Sequence, residues 1–504
     1  MVGPKYIPPE VCLADTWNSE ERITNSDPLQ KWWQVFNDEL LDKYIDLAVQ
    51  HNYEIQIAEA NILRARSLRQ ISAAKFFPQV NLDLNGTKTY FSKNGPVFTI
   101  GQASGDPTDT SSSTTNLPFN LQTPQIQNLF NTLFDAAWEL DLFGKTRHRV
   151  AEATAAYESS IEEKNNLLIS ILAEVARNYV DLRSYQEKVR LLEKNIVLFE
   201  KQAEIIEVNL KLGYSNQLDF EEVQAELSSS KALLPMAYSE VYRAIYTLSI
   251  LIGNPPETLV EELLKEKSLP DCPDQIAVGL RSDLLRRRPD IRYAERKLAE
   301  TTAVVGVAVA SFFPTIALLS EGGLQSLLLP KLFEWGSKTW SYGANVNMPI
   351  FQGGRLIGNL RLSEAEQAMA AAFYQQTVLS ALHDAENSLK KYQQLEIATR
   401  EYNDMVLHNQ YVLAISRERY NQGLINLTDF IQNEKKLVSA QLTQLGSKTE
   451  SLFSVISLYK ALGGGWECDP IQPQTVVEEM DKCSESVNNS DLEESTSCKM
   501  SNAS

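Results

Sequence analysis

Two long stretches of this chain repeat one another, and that duplication limits what the chain can fold into more than any other feature. IQIAEANILRARSLRQISAAKFFP (55–78) aligns with IRYAERKLAETTAVVGVAVASFFP (291–314) at a spacing of 236, sharing Ile55/Ile291, Ala58/Ala294, Glu59/Glu295, Ala74/Ala310 and both Phe-Phe-Pro words. Beyond Phe-Phe-Pro the spacing falls to 210, pairing Gly144 with Gly354, Gly213 with Gly423, Asp219-Phe220 with Asp429-Phe430, and Gly253 with Gly463. The extra residues of the first copy fall near the polar stretch GQASGDPTDTSSSTTN (101–116), whose composition reads as a long loop.

Each copy therefore follows one plan: helix, Phe-Phe-Pro, strands, a very long helix, a glycine break, a second helix. The first long helix is expected over about 145–212, a span with no Gly or Pro; at 1.5 Å per residue it would reach roughly 100 Å. Leu168, Val175, Leu182, Val189, Ile196, Ala203 and Leu210 recur every seventh residue. A second set, Ile171, Asn178, Tyr185, Leu192, Phe199 and Ile206, lies three residues on. This is a sustained coiled-coil seam. The second copy, 355–422, keeps the length but has Ser388, Thr399, Asn409 and Ser416 in a weaker seam. Shorter helices are expected over 216–252, with a kink at Pro235, and over 426–462.

Between Phe-Phe-Pro and each long helix the period changes to two. Phe134, Ala136, Trp138, Leu140 and Leu142 alternate with Asp135, Ala137, Glu139 and Asp141; Trp340, Tyr342, Ala344, Val346, Met348 and Ile350 alternate with Ser341, Gly343, Asn345, Asn347 and Pro349. Val80, Leu82 and Leu84 alternate with Asn81, Asp83 and Asn85, and Ile316 and Leu318 begin the matching strand. Lipid on one side and water on the other gives a membrane β-barrel this pattern. The uncharged run between Glu300 and Glu321 is long enough for a spanning helix. Pro314 interrupts it, however, and its counterpart carries Arg69, Lys75 and Asp83, so it reads as a helix end joined to a strand. Four strands cannot close a barrel, for which about eight is the minimum, and open edges are not tolerated in lipid. A half-buried sheet in a soluble protein would show the same alternation; a spanning reading requires several chains to share one barrel.

A net charge of −18 argues against a nucleic-acid partner. The five cysteines (Cys12, Cys272, Cys468, Cys483, Cys498) form no framework through the body and show no zinc spacing. Gly144-Lys145-Thr146 lacks the earlier glycine of a phosphate loop, since position 139 is Glu. The four histidines are scattered, and Arg286-Arg287-Arg288 reads as a solvated helix start. No constellation supports catalysis, and no metal or cofactor is expected.

The words VGPKY (2–6), WWQVFNDEL (32–40), RRRPDIRYAE (286–295), PIFQGGR (349–355) and YKALGGGWE (459–467), with the Phe-Phe-Pro pairs, make the chain resemble the TolC/OprM-type outer-membrane efflux proteins. The resemblance is closest to the lipoprotein branch, including NodT-like proteins, that serves RND-type multidrug pumps. It implies a mostly α fold with transmembrane β: a homotrimer whose twelve strands form one outer-membrane barrel and whose helices form a periplasmic α-barrel. The implied function is passive conduction of drugs or other solutes in a Gram-negative bacterium, fed by a periplasmic adaptor and an inner-membrane pump. A soluble coiled-coil scaffold, or an exit duct for type I secretion or metal efflux, are the alternatives.

The expected boundaries are an extended segment (1–30), a first repeat (31–265, strands about 79–143), a linker (266–280), a second repeat (281–466, strands about 315–351) and a disordered acidic tail (467–504). The family's gate pattern, G-x5-D-x2-D, reads here as Gly423, Asp429 and Gln432, so an amide replaces the second acid. Tyr420 matches a family tyrosine of the closed state, and Ile425 stands where TolC has an arginine. Asp219 and Glu222 are the first-copy equivalents. The gate residues implied are thus Asp429, Gln432, Tyr420, Asp219 and Glu222, although an acid near a helix start also suits the helix dipole. The resemblance implies an acylated cysteine just before Val2, preceded by a signal peptide; Met1 stands there instead, so no lipid anchor is expected within this sequence, and Cys12 does not occupy that position.

Overall fold

The computed structural model describes residues 2–9, 23–24, 31–92, 126–273, 276–277 and 284–466. The polar stretch 101–116, most of the segment and linker at 10–30 and 274–283, and the tail with Cys468, Cys483 and Cys498 lie outside the described residues, as does Cys12.

The longer elements follow in the order α1 (Glu39–His51), α2 (Tyr53–Ala74), β1 (Gln79–Tyr90), β2 (Ile126–Leu140), α3 (Lys145–Lys211), α4 (Gln217–Leu251), α5 (Pro289–Ala310), β3 (Thr315–Ser326), β4 (Lys338–Asn347), α6 (Arg355–Asn421) and α7 (Leu427–Ala461). The duplication is visible in the lengths: α3 and α6 each have 67 residues, α4 and α7 each have 35. The glycine words explain where these helices stop. Gly213 (φ 78°) and Gly423 (φ 71°) take the left-handed conformation. Each donates its N–H to the carbonyl three residues back, Leu210 and Tyr420, while the next residue, Tyr214 or Leu424, donates to the carbonyl five back. This is the Schellman ending, which a side chain at the glycine would strain.

The chain divides into two compact units. One comprises 1–9, 62–159 and 295–373, the other 10–61, 160–294 and 374–504. The first unit holds the sheet, β1-β2-β3-β4, antiparallel throughout. Copy one thus pairs with copy two through β2 and β3. At the start of α3, Asp141 accepts from the N–H groups of Thr146 and Arg147, both at 3.0 Å. The Gly-Lys-Thr word is therefore a helix start held by a carboxylate.

The N-terminal segment is strapped into the same unit. The Val2 amide donates to the Phe143 carbonyl at 3.0 Å, and the Val2 carbonyl accepts from the buried His148 Nε2 at 2.6 Å. Gly306 makes room for that imidazole: a Cβ there would lie 2.3 Å from the ring. Tyr6 donates to Glu295 at 3.0 Å.

The second unit is helical and holds the main apolar core. The seam read from the sequence is buried there: Leu168, Val175, Leu182, Val189, Ile196 and Ala203 on one line, Ile171, Leu192, Phe199 and Ile206 on the other. Trp32 stacks on Tyr459 (5.5 Å between centroids) and meets Trp33 edge-on. The weaker α6 seam is hydroxyl-bonded instead, with Thr399 Oγ1 2.7 Å from Ser447 Oγ and 3.0 Å from Ser451 Oγ on α7. The helix α4 continues on both sides of Pro235, which has no N–H to offer the Lys231 carbonyl.

Two polar features depart from the sequence reading. Arg288 is not on a solvated helix start. It bonds to the Ala461 carbonyl at 2.9 Å and pairs with Asp290, because the chain end of α7 returns over it. Arg183, inside the α3 seam, is fully buried and donates to Gln186, to the Lys265 carbonyl and to Tyr179 Oη. Tyr179 and Lys267 both donate to Asp38 at 2.7 Å. Burial alone would raise that carboxyl, but these bonds and the Leu40 N–H hold it below the usual range.

Candidate functional site

Two regions hold the residues singled out in the sequence: the sheet, and the turns joining α3 to α4 and α6 to α7.

Strand register sorts the sheet into two faces. Val80 lies opposite Ala136, Leu82 opposite Phe134, Trp138 opposite Leu318, Leu318 opposite Ala344 and Ile316 opposite Val346. Side chains alternate along a strand and cross-strand partners share a face. One face therefore carries Val80, Leu82, Leu84, Phe134, Trp138, Ile316, Leu318, Trp340, Tyr342 and Val346. The other carries Asn81, Asp83, Asn85, Asn131, Asp135, Glu139, Glu321, Ser341 and Asn345, with Leu129, Leu133 and Leu319 among them. On the apolar face the charged residues, Lys88 and Lys338, stand only near the end of the sheet remote from the helices. Large apolar side chains there are exposed: Trp340 by 73% and Tyr342 by 79%. A soluble sheet would cover such a surface. Among the described residues no helix is long and apolar enough to cross a membrane.

The outer edges of β1 and β4 pair with no described strand. The two edges run in opposite directions, because four antiparallel strands alternate.

At the helix turns, Ile196, Phe199, Ala203, Ile206, Val223 and Leu227 of the first copy share one buried cluster with Leu427, Phe430 and Ile431 of the second. Tyr420 stacks on Phe430 at 5.4 Å. Burial raises the Tyr420 hydroxyl above its usual pKa, and the Asp219 carboxylate adds to the shift. Asp219 belongs to a capping box with Asn216, whose side chain accepts from the Asp219 N–H at 2.8 Å. Glu222 accepts from Thr428 Oγ1 at 3.0 Å, bridging α4 and α7. Asp429 and Gln432 stand one turn apart on α7, both exposed and without a hydrogen bond among the described residues.

The structure thus stacks Tyr420 on Phe430 and ties Glu222 to the residue before Asp429, while Asp429 and Gln432 point to solvent. Three cross-copy partners were not anticipated: Thr428, the Lys435–Glu226 ion pair (2.6 Å) and Glu434, which accepts from Gln202 Nε2 at 2.5 Å. Glu434 is buried, and burial raises its carboxyl above the usual range. Its signal in the sequence is its place on the stripe Leu427, Phe430, Ile431, Glu434, where every other member is apolar.

The family model for outer membrane efflux proteins matches residues 44–254 and 280–464. The chain belongs to that family. Such a chain is an outer-membrane efflux channel with a periplasmic helical portion, and the family is one of channels. Among curated relatives, the probable efflux pump outer membrane protein TtgC of Pseudomonas putida KT2440 is 28% identical over 475 residues, covering 92% of each chain. Nodulation protein T of Rhizobium leguminosarum bv. trifolii is 26% identical over 482 residues, covering 92% of this chain and 94% of its own. Among solved structures, the outer-membrane channel OprN superposes with a TM-score of 0.81 at 26% identity, over 92% of this chain and 99% of its own. The Campylobacter jejuni CmeC channel shares the fold, with a TM-score of 0.82 at 22% identity over 95% and 97%. The family match replaces the soluble scaffold reading.

Proposed function

We propose that this efflux channel is the exit duct of a tripartite system: three copies close one twelve-stranded barrel, and an inner-membrane pump with a periplasmic adaptor supplies solute and energy. The duct itself carries out no chemistry. The observation that carries the reading is the sheet, with one face apolar, the other polar, and two outer edges that pair with no described strand. Because β4 of one copy runs antiparallel to β1 of the next, copies add head to tail and the ring closes with the same strand alternation it has inside each chain. The polar face, with Asp83, Asp135, Glu139 and Glu321, then lines a water-filled lumen.

The turns at Gly213 and Gly423 form the periplasmic gate. Asp429 and Gln432 project toward the axis, where three carboxylates narrow the passage and favour cations. Tyr420, Asp219 and Glu222 hold the closed packing behind them. Relatives are named for efflux of toluene, solvent or antibiotic; small apolar or amphipathic organic solutes are the substrates that fit those names.

The test is a paired measurement. Cysteines placed on the outer edges of β1 and β4 should form a disulfide-linked trimer in the outer membrane, and deletion of the gene should lower resistance to organic solvents or antibiotics. Isolation of the folded protein only as monomers would overturn the shared barrel. Unchanged susceptibility in a strain lacking parallel exit ducts would overturn the drug and solvent assignment.

A further inference from the structure

The segment joining β3 to β4, Leu327–Ser337, reads LLLPKLFEWGS and is far more apolar than an extracellular turn requires. It is also well built. Short turns form over Leu329–Lys331 and Trp335–Ser337, Ser337 Oγ donates to the Lys331 carbonyl at 2.6 Å, and Ser326 Oγ is bonded to both the carbonyl and the amide of Leu328. Leu332 is buried beneath it. Around this scaffold Leu327, Leu328 and Leu329 are half exposed, Phe333 is 78% exposed and Trp335 is 82% exposed.

The side on which this apolar surface lies can be read from one contact. Register puts Lys338 on the apolar face, opposite Leu324 and next but one to Trp340. The Lys338 ammonium sits over the Trp335 ring. Trp335 is thereby continuous with the column Lys338, Trp340, Tyr342, Ala344, Val346, which faces lipid. The height also fits. Asn347 to Lys338, the length of β4, is nine steps, which at about 3.3 Å per residue and a tilt near 40° spans about 23 Å, close to the height of the apolar band of a membrane barrel. Lys338 and Trp335 therefore stand at the outer boundary of the hydrocarbon, where an indole and an ammonium are both well placed.

We infer that the β3–β4 segment is a lipid-binding ledge: Trp335, Phe333 and the three leucines settle into the outer leaflet at headgroup depth, and Lys331 and Lys338 engage its lipid phosphates. The occupant is lipid, as continuity with the lipid-facing sheet and the flanking lysines require. A neighbouring copy or a water-filled mouth are the competing occupants. The inference rests on the barrel reading above, and the experiment separates the two.

In a variant with all five native cysteines replaced by serine, an environment-sensitive fluorophore is placed by Trp335→Cys, Tyr342→Cys or Gln325→Cys, and the trimer is reconstituted in phosphatidylethanolamine–phosphatidylglycerol vesicles. Nitroxide on the lipid headgroup should quench position 335 several-fold more than aqueous iodide does. Nitroxide on the acyl chain should quench 342, and iodide should quench 325. If iodide quenches 335 as strongly as 325, the segment lines water and the ledge is wrong. If neither quencher reaches 335, a second copy covers it and the ledge is equally wrong. If 342 escapes acyl-chain nitroxide, the barrel reading fails first and takes the ledge with it. Lys331→Gln with Lys338→Gln should weaken headgroup quenching at 335 in these vesicles; unchanged headgroup quenching would remove the phosphate contact.

Discussion

Gln202 Nε2 donates to Glu434 Oε2 at 2.5 Å, joining the long helix of the first copy to the second helix of the other inside a buried cluster. Neither Gln202 Oε1 nor Glu434 Oε1 has a partner among the described residues. An acceptor pair with no donor between them is costly when buried.

That pair sets a pH dependence. Burial raises the folded-state pKa of Glu434 above its unfolded value, against the smaller lowering effects of Gln202 and Arg417. The folded state then holds a proton that the unfolded state releases. Its contribution to stability is complete below the unfolded carboxylate pKa and is lost as pH rises toward the folded value. Glu434→Gln should remove this slope and slow hydrogen exchange of the helix turns at neutral pH, since an amide can donate to Gln202 Oε1. A steeper slope in the variant would refute the assignment.

Asp429 tests the gate. Asp429→Ala should raise single-channel conductance in planar bilayers and reduce cation selectivity, because removing three carboxylates from a constriction relaxes both. Unchanged conductance and selectivity would leave Asp429 as a helix-start acid only.

The two sheet faces should answer oppositely to one substitution. Leu318→Arg, on the apolar face, should cost about 2–4 kcal/mol and cut the amount of heat-resistant trimer in the outer membrane. Asn345→Arg, on the polar face, should leave assembly near normal and shift ion selectivity toward anions. Electrophoresis without boiling and reversal potentials give the two readouts.

Gly306→Ala should displace the His148 ring, since the new methyl would lie 2.3 Å from it. Overpacking of this kind costs about 1–3 kcal/mol. With His148 moved, the Val2 carbonyl loses its donor, so limited proteolysis should trim the N-terminal segment faster while the sheet stays protected.

Local periodicity made the long helices and the strands legible: a seven-residue repeat survives in α3, and a two-residue repeat in β2 and β4. The paired glycines located the turns because both need the same left-handed backbone. Isolated charges were not legible. Asp38 and Lys267 lie 229 positions apart, and Arg288 is partly covered by the far end of α7, whose Ala461 carbonyl it bonds. A charge of that kind shows its partner only once distant elements have packed. The pairing of β2 with β3 was hidden for the same reason, since hydrogen bonds between copies leave no pattern within either strand.

The free edges of β1 and β4 also bear on inheritance. In the proposed ring each copy supplies one edge to each neighbour, so a copy with a damaged edge still joins through its sound one and leaves a gap that lipid cannot tolerate. An altered gene expressed beside the normal one would therefore poison mixed assemblies, and its effect on resistance would be dominant.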